Sequence, residues 1–194
     1  MGGGTAEVLL LPGSRRSELA RHLPVMIRAL ALMRASLPEL RARMVLPSQA
    51  LVQQARAAGL PGHLEVQVGG LREALRSADM AVASTGTVTV ECAYLGVPTV
   101  ALYKTAWATY EIAKRLATVK YVAMPNILAD EELFPEFIQN AASPENISRA
   151  TLELLRDEAR RAKISGRLAE IVATLGEPGA AGRAAGAIAR LMEQ

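Results

Sequence analysis

The sequence predicts a doubly wound α/β domain, in which a Rossmann-like parallel sheet is followed by C-terminal helices. Short apolar runs bounded by glycine, proline or aspartate alternate with longer segments of helical period, and this alternation is typical of parallel βαβ units. Beyond residue 106 the pattern turns helical, and three successive helices are predicted at the end of the chain. The sequence contains no long repeat and no low-complexity tract, which favours one such domain over an array.

The individual elements follow from the spacing of the apolar residues. Between Leu19 and Leu37 these residues recur three and four positions apart, which places one buried stripe on a long helix with Ser17 as its N-cap and Pro38 as its stop. Strands are predicted at residues 7–11, 43–46, 64–68, 80–83 and 99–103. Further helices are predicted at residues 48–58, 88–95, 105–117, 144–156, 158–175 and 179–192. We therefore divide the chain into a Rossmann-like domain, residues 5–178, and a terminal helix, residues 179–194.

Composition limits the class of function. The 194 residues are 51% hydrophobic and 21% charged, which excludes a disordered chain, and no apolar run is long enough for a membrane-spanning helix. The net charge of +3 forms no dominant basic cluster and aromatic residues make up only 4%, so we expect no nucleic-acid partner. Two histidines without partners at metal-binding spacing predict no metal site. A single cysteine, Cys92, which we interpret as a buried small residue, and the lack of a leader-like start predict a cytoplasmic protein.

The first candidate site is the turn at residues 10–15 (LLPGSR), between the first strand and the first helix. In doubly wound folds ligands bind beyond the carboxyl ends of the strands, so this turn faces the binding crevice. Gly13 allows the backbone to approach a ligand closely, Ser14 offers a hydroxyl, and Arg15 offers a guanidinium suited to a diphosphate. The alternative interpretation is an ordinary strand-to-helix turn with a solvated arginine.

The second candidate site lies at residues 83–91 (ASTGTVTVE), where the fourth strand runs into a helix. Unpaired amides at a helix N-terminus bind anions, and Ser84, Thr85 and Thr87 around Gly86 add hydroxyl groups. Glu91, one turn into the helix, could accept hydrogen bonds from ribose hydroxyls. The alternative is helix capping alone, with Thr87 as the N-cap. Neither a Walker loop nor a Gly-x-Gly-x-x-Gly fingerprint occurs, which argues against ATPase and dehydrogenase functions.

A third group of polar residues follows the last predicted strand and the loop beyond it. Loops after short strands present polar side chains to the crevice, and these residues are surrounded by apolar ones. The group consists of Tyr103, Lys104, Asn126, Glu136 and Gln139. The alternative interpretation is a turn at residues 125–126 and a short helix that begins at Pro135.

Taken together, a series of short motifs resembles the lipid-A-disaccharide synthase family in order and spacing. Each motif is weak alone, and the ordered set is specific. The motifs are 10–15 (LLPGSR), Glu18, 23–24 (LP), 86–91 (GTVTVE), 96–98 (GVP), 103–104 (YK), 113–116 (AKRL), 120–122 (KYV), 125–129 (PNILA) and 135–139 (PEFIQ). The resemblance covers residues 7–139, and it implies that the domain is the C-terminal half of a glycosyltransferase with two Rossmann domains, the GT-B architecture.

The resemblance implies an inverting hexosyltransferase. Such an enzyme transfers 2,3-diacylglucosamine from UDP-2,3-diacylglucosamine to 2,3-diacylglucosamine 1-phosphate, and releases UDP and lipid A disaccharide 1-phosphate at the inner membrane surface. By position, Ser14 and Arg15 would bind the diphosphate, Gly86 and Thr87 would lie beneath it, and Glu91 would bind the ribose. Tyr103, Lys104, Asn126, Glu136 and Gln139 would line the sugar or nucleotide side of the cleft. No metal and no cofactor is implied.

The resemblance also implies partners. The general base and most of the acyl-chain surface belong to an N-terminal domain in this family, so the present chain is expected to bind the donor without turnover. The lipid substrates imply peripheral contact with the inner membrane. The terminal helix, residues 179–194, is expected to pack on that other domain or on a second copy of the chain as a homodimer, because its alanine- and glycine-rich face allows close approach.

Two departures from the family pattern and two alternatives remain. Thr85 stands where the family usually has serine, which keeps the hydroxyl, and residues 130–132 (DEE) stand where many members have Gly-Arg-Glu, which removes a basic contact. Within the same fold, the alternatives are another UDP-sugar transferase or an epimerase. Outside it, the alternative is a non-catalytic dimerising module.

Overall fold

In a computed structural model, which describes residues 5–106, 110, 120–176 and 179–192, one parallel sheet forms the centre of the domain. Its strands are β1 Glu7–Leu11, β2 Arg41–Leu46, β3 Glu65–Val68, β4 Met80–Ser84, β5 Thr99–Tyr103 and β6 Glu136–Ile138. The strand order is β3-β2-β1-β4-β5-β6, and every neighbouring pair is parallel. The direction of winding reverses between β1 and β4, so the predicted doubly wound, Rossmann-like class is confirmed.

Helices cover both faces of the sheet. They are α1 Arg16–Ser36, α2 Gln49–Ala57, α3 Leu71–Ser77, α4 Thr87–Tyr94, α5 Met124–Ala129, α6 Pro144–Arg156, α7 Glu158–Thr174 and α8 Ala180–Met192. Right-handed crossovers put α1 and α2 on one face, and α3 and α4 on the other. Helix α6 packs on α1, whereas α5 and α7 pack on α4. The helices α6 and α7, which follow the last strand, therefore complete the helical layers on the two faces of the sheet.

The five predicted strands and most predicted helices are confirmed to within about two residues. Three elements were not predicted, namely α3, α5 and β6. The interpretation of Pro135 as the start of a short helix is wrong, because the residues that follow it pair with β5 as an edge strand, Leu102 opposite Phe137. The predicted helix at 105–117 falls almost entirely outside the described residues, and the division of the chain at residue 178 stays a prediction.

The predicted stripe of α1 is confirmed as core. Ile27 and Leu37 are half-buried, whereas the other five apolar residues of the stripe are at most 3% exposed and lie between the sheet and α6. They are Leu19, Leu23, Met26, Leu30 and Met33. Strands β1 and β4 are buried on both faces, as expected for the centre of a parallel sheet. The central strands and α1 thus form the rigid support for the turns at the strand ends.

Truncation of a core side chain on α1 tests this packing. We expect Leu30→Ala to lower the free energy of unfolding by about 2–5 kcal/mol, because Leu30 is fully buried and its removal leaves a cavity. Leu32, on the same helix, is 40% exposed, and Leu32→Ala should cost less than about 1 kcal/mol. Urea denaturation of both variants measures the difference, and equal losses would contradict the assigned burial.

Candidate functional site

The two glycine-containing turns predicted as a site lie side by side. Strand β1 pairs with β4 so that Leu11 is opposite Ala83, and the chain leaves both strands at the same edge of the sheet. Both turns line one cleft of about 640 Å³, a volume in the range of small-molecule sites. The other lining residues come from the ends of β2, β3 and β5 and from the first turns of α1, α3 and α4. The cleft thus lies where doubly wound folds bind ligands.

The β1–α1 turn presents Gly13, Ser14 and Arg15 to the cleft. Gly13 has a φ of +117°, which favours glycine, and the side chain of Arg15 is 79% exposed. Helix α1 begins at Arg16, so the predicted N-cap at Ser17 is wrong. The reason is Glu18, whose carboxylate accepts hydrogen bonds from the amides of Ser14 at 3.0 Å and Arg15 at 3.3 Å, and so caps the helix two residues earlier.

The β4–α4 turn presents an uncapped helix N-terminus. Gly86, with a φ of +148°, is the N-cap, so the interpretation of Thr87 as the cap is wrong. Because glycine has no side chain to accept a hydrogen bond, the first amides of α4 remain available to an anion. Ser84 is buried beneath the turn and Gly86 and Thr87 are exposed, with Thr85 between them. Glu91 is exposed in the cleft, and its carboxylate makes no hydrogen bond or ion pair to the described part of the chain.

His22 ties the β1 turn to the end of β5. Its imidazole is fully buried, with Nδ1 2.8 Å from the carbonyl oxygen of Pro12 and Nε2 3.1 Å from the amide nitrogen of Lys104. Since a carbonyl only accepts and an amide only donates, Nδ1 carries the proton and Nε2 accepts. Burial lowers the pKa of His22, which agrees with this neutral tautomer. The turn that carries Arg15 is thus held against the sheet by a neutral imidazole.

The pH dependence of stability tests the neutral imidazole. The unfolded chain binds a proton at His22 below about pH 6.5 and the folded protein resists it, so we expect the free energy of unfolding to fall as the pH drops below that value. His22→Asn keeps an amide donor for Pro12 and does not titrate, so it should reduce this dependence between pH 7.5 and 5.5. The same change at exposed His63 is the control and should preserve it. Urea denaturation at each pH gives the comparison.

Of the five residues in the third predicted group, the structure places one in the lining of the cleft and four elsewhere. Tyr103 lines the cleft, but Lys104, Asn126, Glu136 and Gln139 do not. The ammonium of Lys104 donates to the carbonyl oxygens of Gln139 at 2.7 Å and Ala142 at 3.3 Å. The Gln139 side chain bonds the backbone of residue 105. The polar atoms of these four residues are thus used within the fold, and their place on the sugar or nucleotide side of the cleft stays a prediction.

Asn126 is the centre of a buried network. It is 0% exposed, and its Oδ1 accepts from the amides of Leu133 at 2.9 Å and Phe134 at 2.8 Å. Its Nδ2 donates to the Phe134 carbonyl oxygen and to Glu136 Oε1, both at 2.7 Å. The Glu136 carboxylate also accepts from the amides of Val122 and Ala123. These bonds satisfy all of the polar atoms of the Asn126 amide and fasten α5 to β6.

Replacement of the amide by a carboxylate tests the network. Asn126→Asp loses two donors and places a second carboxylate beside Glu136, so we expect the free energy of unfolding to fall by about 3–5 kcal/mol. Exposed Asn140 offers the same chemical change without the network, and Asn140→Asp should change stability by less than about 0.5 kcal/mol. Thermal and urea unfolding of both variants provide the measurement. An Asn126→Asp variant as stable as Asn140→Asp would show that the network is dispensable.

With the geometry of the cleft in place, comparison with known proteins identifies the family. The model of the family described as lipid-A-disaccharide synthetase matches residues 5–189. The chain belongs to the lipid-A-disaccharide synthetase family. The lipid-A-disaccharide synthases of Alkalilimnicola ehrlichii and Burkholderia vietnamiensis are each 38% identical to it, over 96% of this chain and 50% and 49% of those proteins. The chain therefore spans about half the length of the curated relatives it matches.

Solved structures share the fold of this lipid-A-disaccharide synthetase family member. A spinosyn rhamnosyltransferase is 18% identical with a TM-score of 0.63, over 98% of this chain and 45% of that one. A glycosyltransferase involved in lipopolysaccharide biosynthesis is 16% identical with a TM-score of 0.59, over 88% and 43%. A putative UDP-N-acetylglucosamine 2-epimerase from Listeria monocytogenes is 18% identical with a TM-score of 0.57, over 84% and 39%. At these identities the similarity shows the fold alone.

Three features that line the cleft in this family member were not predicted from the sequence to belong to the site. Glu18 lines the cleft and holds the β1 turn, as described above. Gly69 and Gly70, both with a φ near +65°, form the turn after β3, and Pro47 follows β2. A Gly-Gly pair directly after a strand is a sufficient signal for such a turn. A glutamate three residues after Arg15 is likewise a recognisable capping signal.

Other chemistries receive no support from the described residues. Burial raises the pKa of the Cys92 thiol to about 12, so the prediction that Cys92 is a buried small residue rather than a nucleophile is confirmed. Among the described residues, no three histidine, cysteine, aspartate or glutamate side chains lie close enough together to hold a metal ion. Within the same residues, none of the helices combines the length and apolar character needed to cross a bilayer.

Proposed function

We propose that this chain is the domain of a lipid-A-disaccharide synthase that binds the UDP-sugar donor. The observation that carries the proposal is the convergence of Arg15, the uncapped N-terminus of α4 and Glu91 on one cleft. A nucleotide diphosphate needs a cation and amide donors for its phosphates, and an acceptor for its ribose hydroxyls. The cleft offers each of these groups, and membership of the family supports the same ligand.

In this proposal, each turn binds a different part of the donor. The guanidinium of Arg15 and the hydroxyl of Ser14 contact the diphosphate from one side, and the amides that follow Gly86 contact it from the other. Glu91 accepts hydrogen bonds from the ribose hydroxyls. Tyr103, which lines the cleft at the end of β5, contacts the sugar or the nucleotide.

The reaction we propose for the whole enzyme is the inverting transfer of 2,3-diacylglucosamine from UDP-2,3-diacylglucosamine to 2,3-diacylglucosamine 1-phosphate. An acceptor hydroxyl attacks the anomeric carbon, the bond to the diphosphate oxygen breaks, and UDP leaves with the electron pair. The hydroxyl proton passes to a general base, which we assign to an N-terminal half together with the acceptor site. Arg15 and the dipole of α4 stabilise the negative charge that develops on the leaving diphosphate. On this proposal the chain alone binds the donor without turnover.

The proposal includes two further contacts. Helix α8 exposes Ile188, Leu191 and Met192, which supports packing of this helix on the other half of the enzyme or on a second copy of the chain. The lipid character of both substrates, with the modest positive net charge, supports peripheral contact with the cytoplasmic face of the inner membrane.

Titration with UDP tests the proposed donor site. We expect saturable binding that Arg15→Ala weakens by about ten- to a hundredfold, because a charge-assisted contact to phosphate is worth about 1.5–3 kcal/mol. Glu91→Gln should weaken UDP binding by several-fold, since the ribose hydroxyls lose a charged acceptor. Isothermal titration calorimetry measures both affinities.

Matched variants separate these roles from general charge effects. Arg28 lies on the outer face of α1 and Glu153 on α6, and both are exposed and outside the cleft lining. Arg28→Ala therefore changes the net charge as Arg15→Ala does, and Glu153→Gln changes it as Glu91→Gln does, and both controls should leave the UDP affinity unchanged. The assignment fails if UDP binds none of the proteins, or if the cleft variants bind UDP as well as the controls do.

A further inference from the structure

Hydrogen bonds fix three consecutive residues where the chain leaves β5. The carbonyl oxygen of Tyr103 accepts from the amide of Gln139 at 2.8 Å. The amide of Lys104 donates to Nε2 of His22 at 3.1 Å. The amide of Thr105 donates to Oε1 of Gln139 at 3.0 Å, and Nε2 of Gln139 donates back to the Thr105 carbonyl oxygen at 3.3 Å. This end of β5 is therefore held from two sides, by α1 and by the residue that follows β6.

The carboxamide of Gln139 takes the place of a strand peptide. The last pair between β5 and β6 sets Tyr103 opposite Ile138. Gln139 then has a φ of +51°, which turns its main chain out of the strand and which glycine adopts far more readily than glutamine. Its side-chain amide, with one acceptor and one donor on Thr105, continues the pairing that the main chain no longer provides. The ammonium of Lys104 holds this turn, because it donates to the Gln139 carbonyl oxygen at 2.7 Å.

Tyr103 connects this arrangement to the cleft. Its half-buried side chain lines the cleft and lies beside the buried imidazole of His22, with the ring centres 6.3 Å apart. Its hydroxyl makes no hydrogen bond to the described part of the chain. A phenol can donate and accept, and one that lines a cleft without an internal partner is available to a ligand. Tyr103 is also the last residue of β5, so the direction of its ring depends on how the chain beyond it is held.

We infer that Gln139 is a positioning residue, whose carboxamide fixes the chain beyond β5 and thereby holds the Tyr103 side chain where it contacts the donor. This inference rests on the proposed function, which gives Tyr103 a contact to the sugar or the nucleotide. Without the carboxamide the peptide groups of Thr105 bond water instead, and the ring of Tyr103 has more orientations to lose when the donor binds. The affinity for the donor is then lower.

A purely structural role gives a different expectation. If the bonds of Gln139 only stabilised the fold, its truncation would lower the free energy of unfolding and leave the donor affinity unchanged. If Gln139 contacted the donor itself, its truncation would weaken binding whether or not Tyr103 is present. Substitutions at both positions separate these cases, since the effects of two residues that act through one another do not add.

The experiment is a double-mutant cycle on donor binding, measured by titration calorimetry on the wild-type chain, Gln139→Ala, Tyr103→Ala and the double variant. The ligands are UDP and UDP-2,3-diacylglucosamine with short acyl chains, which keep this donor monomeric in water. We expect Tyr103→Ala to weaken binding of the acylated donor by about tenfold and Gln139→Ala by about three- to fivefold, because each disturbs one hydrogen-bonding contact. The double variant should bind this donor no more weakly than Tyr103→Ala does.

The control is Ser165→Ala, which removes a side-chain bond to the backbone at the opposite end of β5. Ser165 Oγ donates to the carbonyl oxygen of Gly96 at 2.7 Å outside the cleft lining, so this variant should bind the donor as the wild type does. Thermal unfolding confirms that each variant is folded, and Gln139→Gly, which adopts the left-handed backbone without strain, replaces Gln139→Ala if that variant is not. Saturable UDP binding with any other pattern of donor affinities overturns the positioning role and leaves the nucleotide site standing. Absence of UDP binding to the wild-type chain overturns the proposed site and the positioning role together.

Discussion

The parallel pairing of β1 with β4 is the constraint on which the cleft depends. This pair is the point at which the sheet reverses its direction of winding, and its register sets Leu11 opposite Ala83. The two segments that follow β1 and β4 leave the sheet at the same level and begin helices on opposite faces. They therefore diverge, and the gap between them is the cleft. The buried imidazole of His22 fixes the position of the β1 turn at one side of the cleft, because it joins this turn to the end of β5. A shift of one residue in the register would separate the two turns and reverse the faces of the strand.

The inner strands β1, β4 and β5 could be predicted because they are buried on both faces. Such strands are continuous apolar runs, and β1, β4 and β5 have this form. Strand β6 has only three residues, all half-buried, so no run marks it, and Pro135 before it resembles a helix start. Helices α3 and α5 have seven and six residues, too few for a helical period to be distinguished from a loop. The position of β6 is determined by its pairing with β5, which is a long-range interaction that no local pattern contains.

In the candidate site as well, local sequence was informative for some residues and uninformative for others. The turns around Gly13 and Gly86 could be predicted because their glycines, hydroxyls and charge follow buried strands directly. For Asn126 and Glu136 the sequence is less informative, since a buried amide or carboxylate can satisfy its hydrogen bonds with a ligand or with the backbone, and the sequence does not distinguish the two. In this fold both side chains bond the backbone around α5 and β6.

The two halves of the cleft satisfy their backbone donors in different ways, and this difference has a physical consequence. Amides at a helix start that bond neither protein nor ligand must bond water, which costs little where they are exposed, as at Gly86 and Thr87. At Ser14 and Arg15, which are also exposed, the amides instead donate to the carboxylate of Glu18. The α4 side can therefore offer backbone amides to an anion, whereas the α1 side offers side-chain groups, because its amides are bonded to Glu18. A fold shared with transferases and an epimerase cannot account for such a difference, which arises from single side chains in the turns.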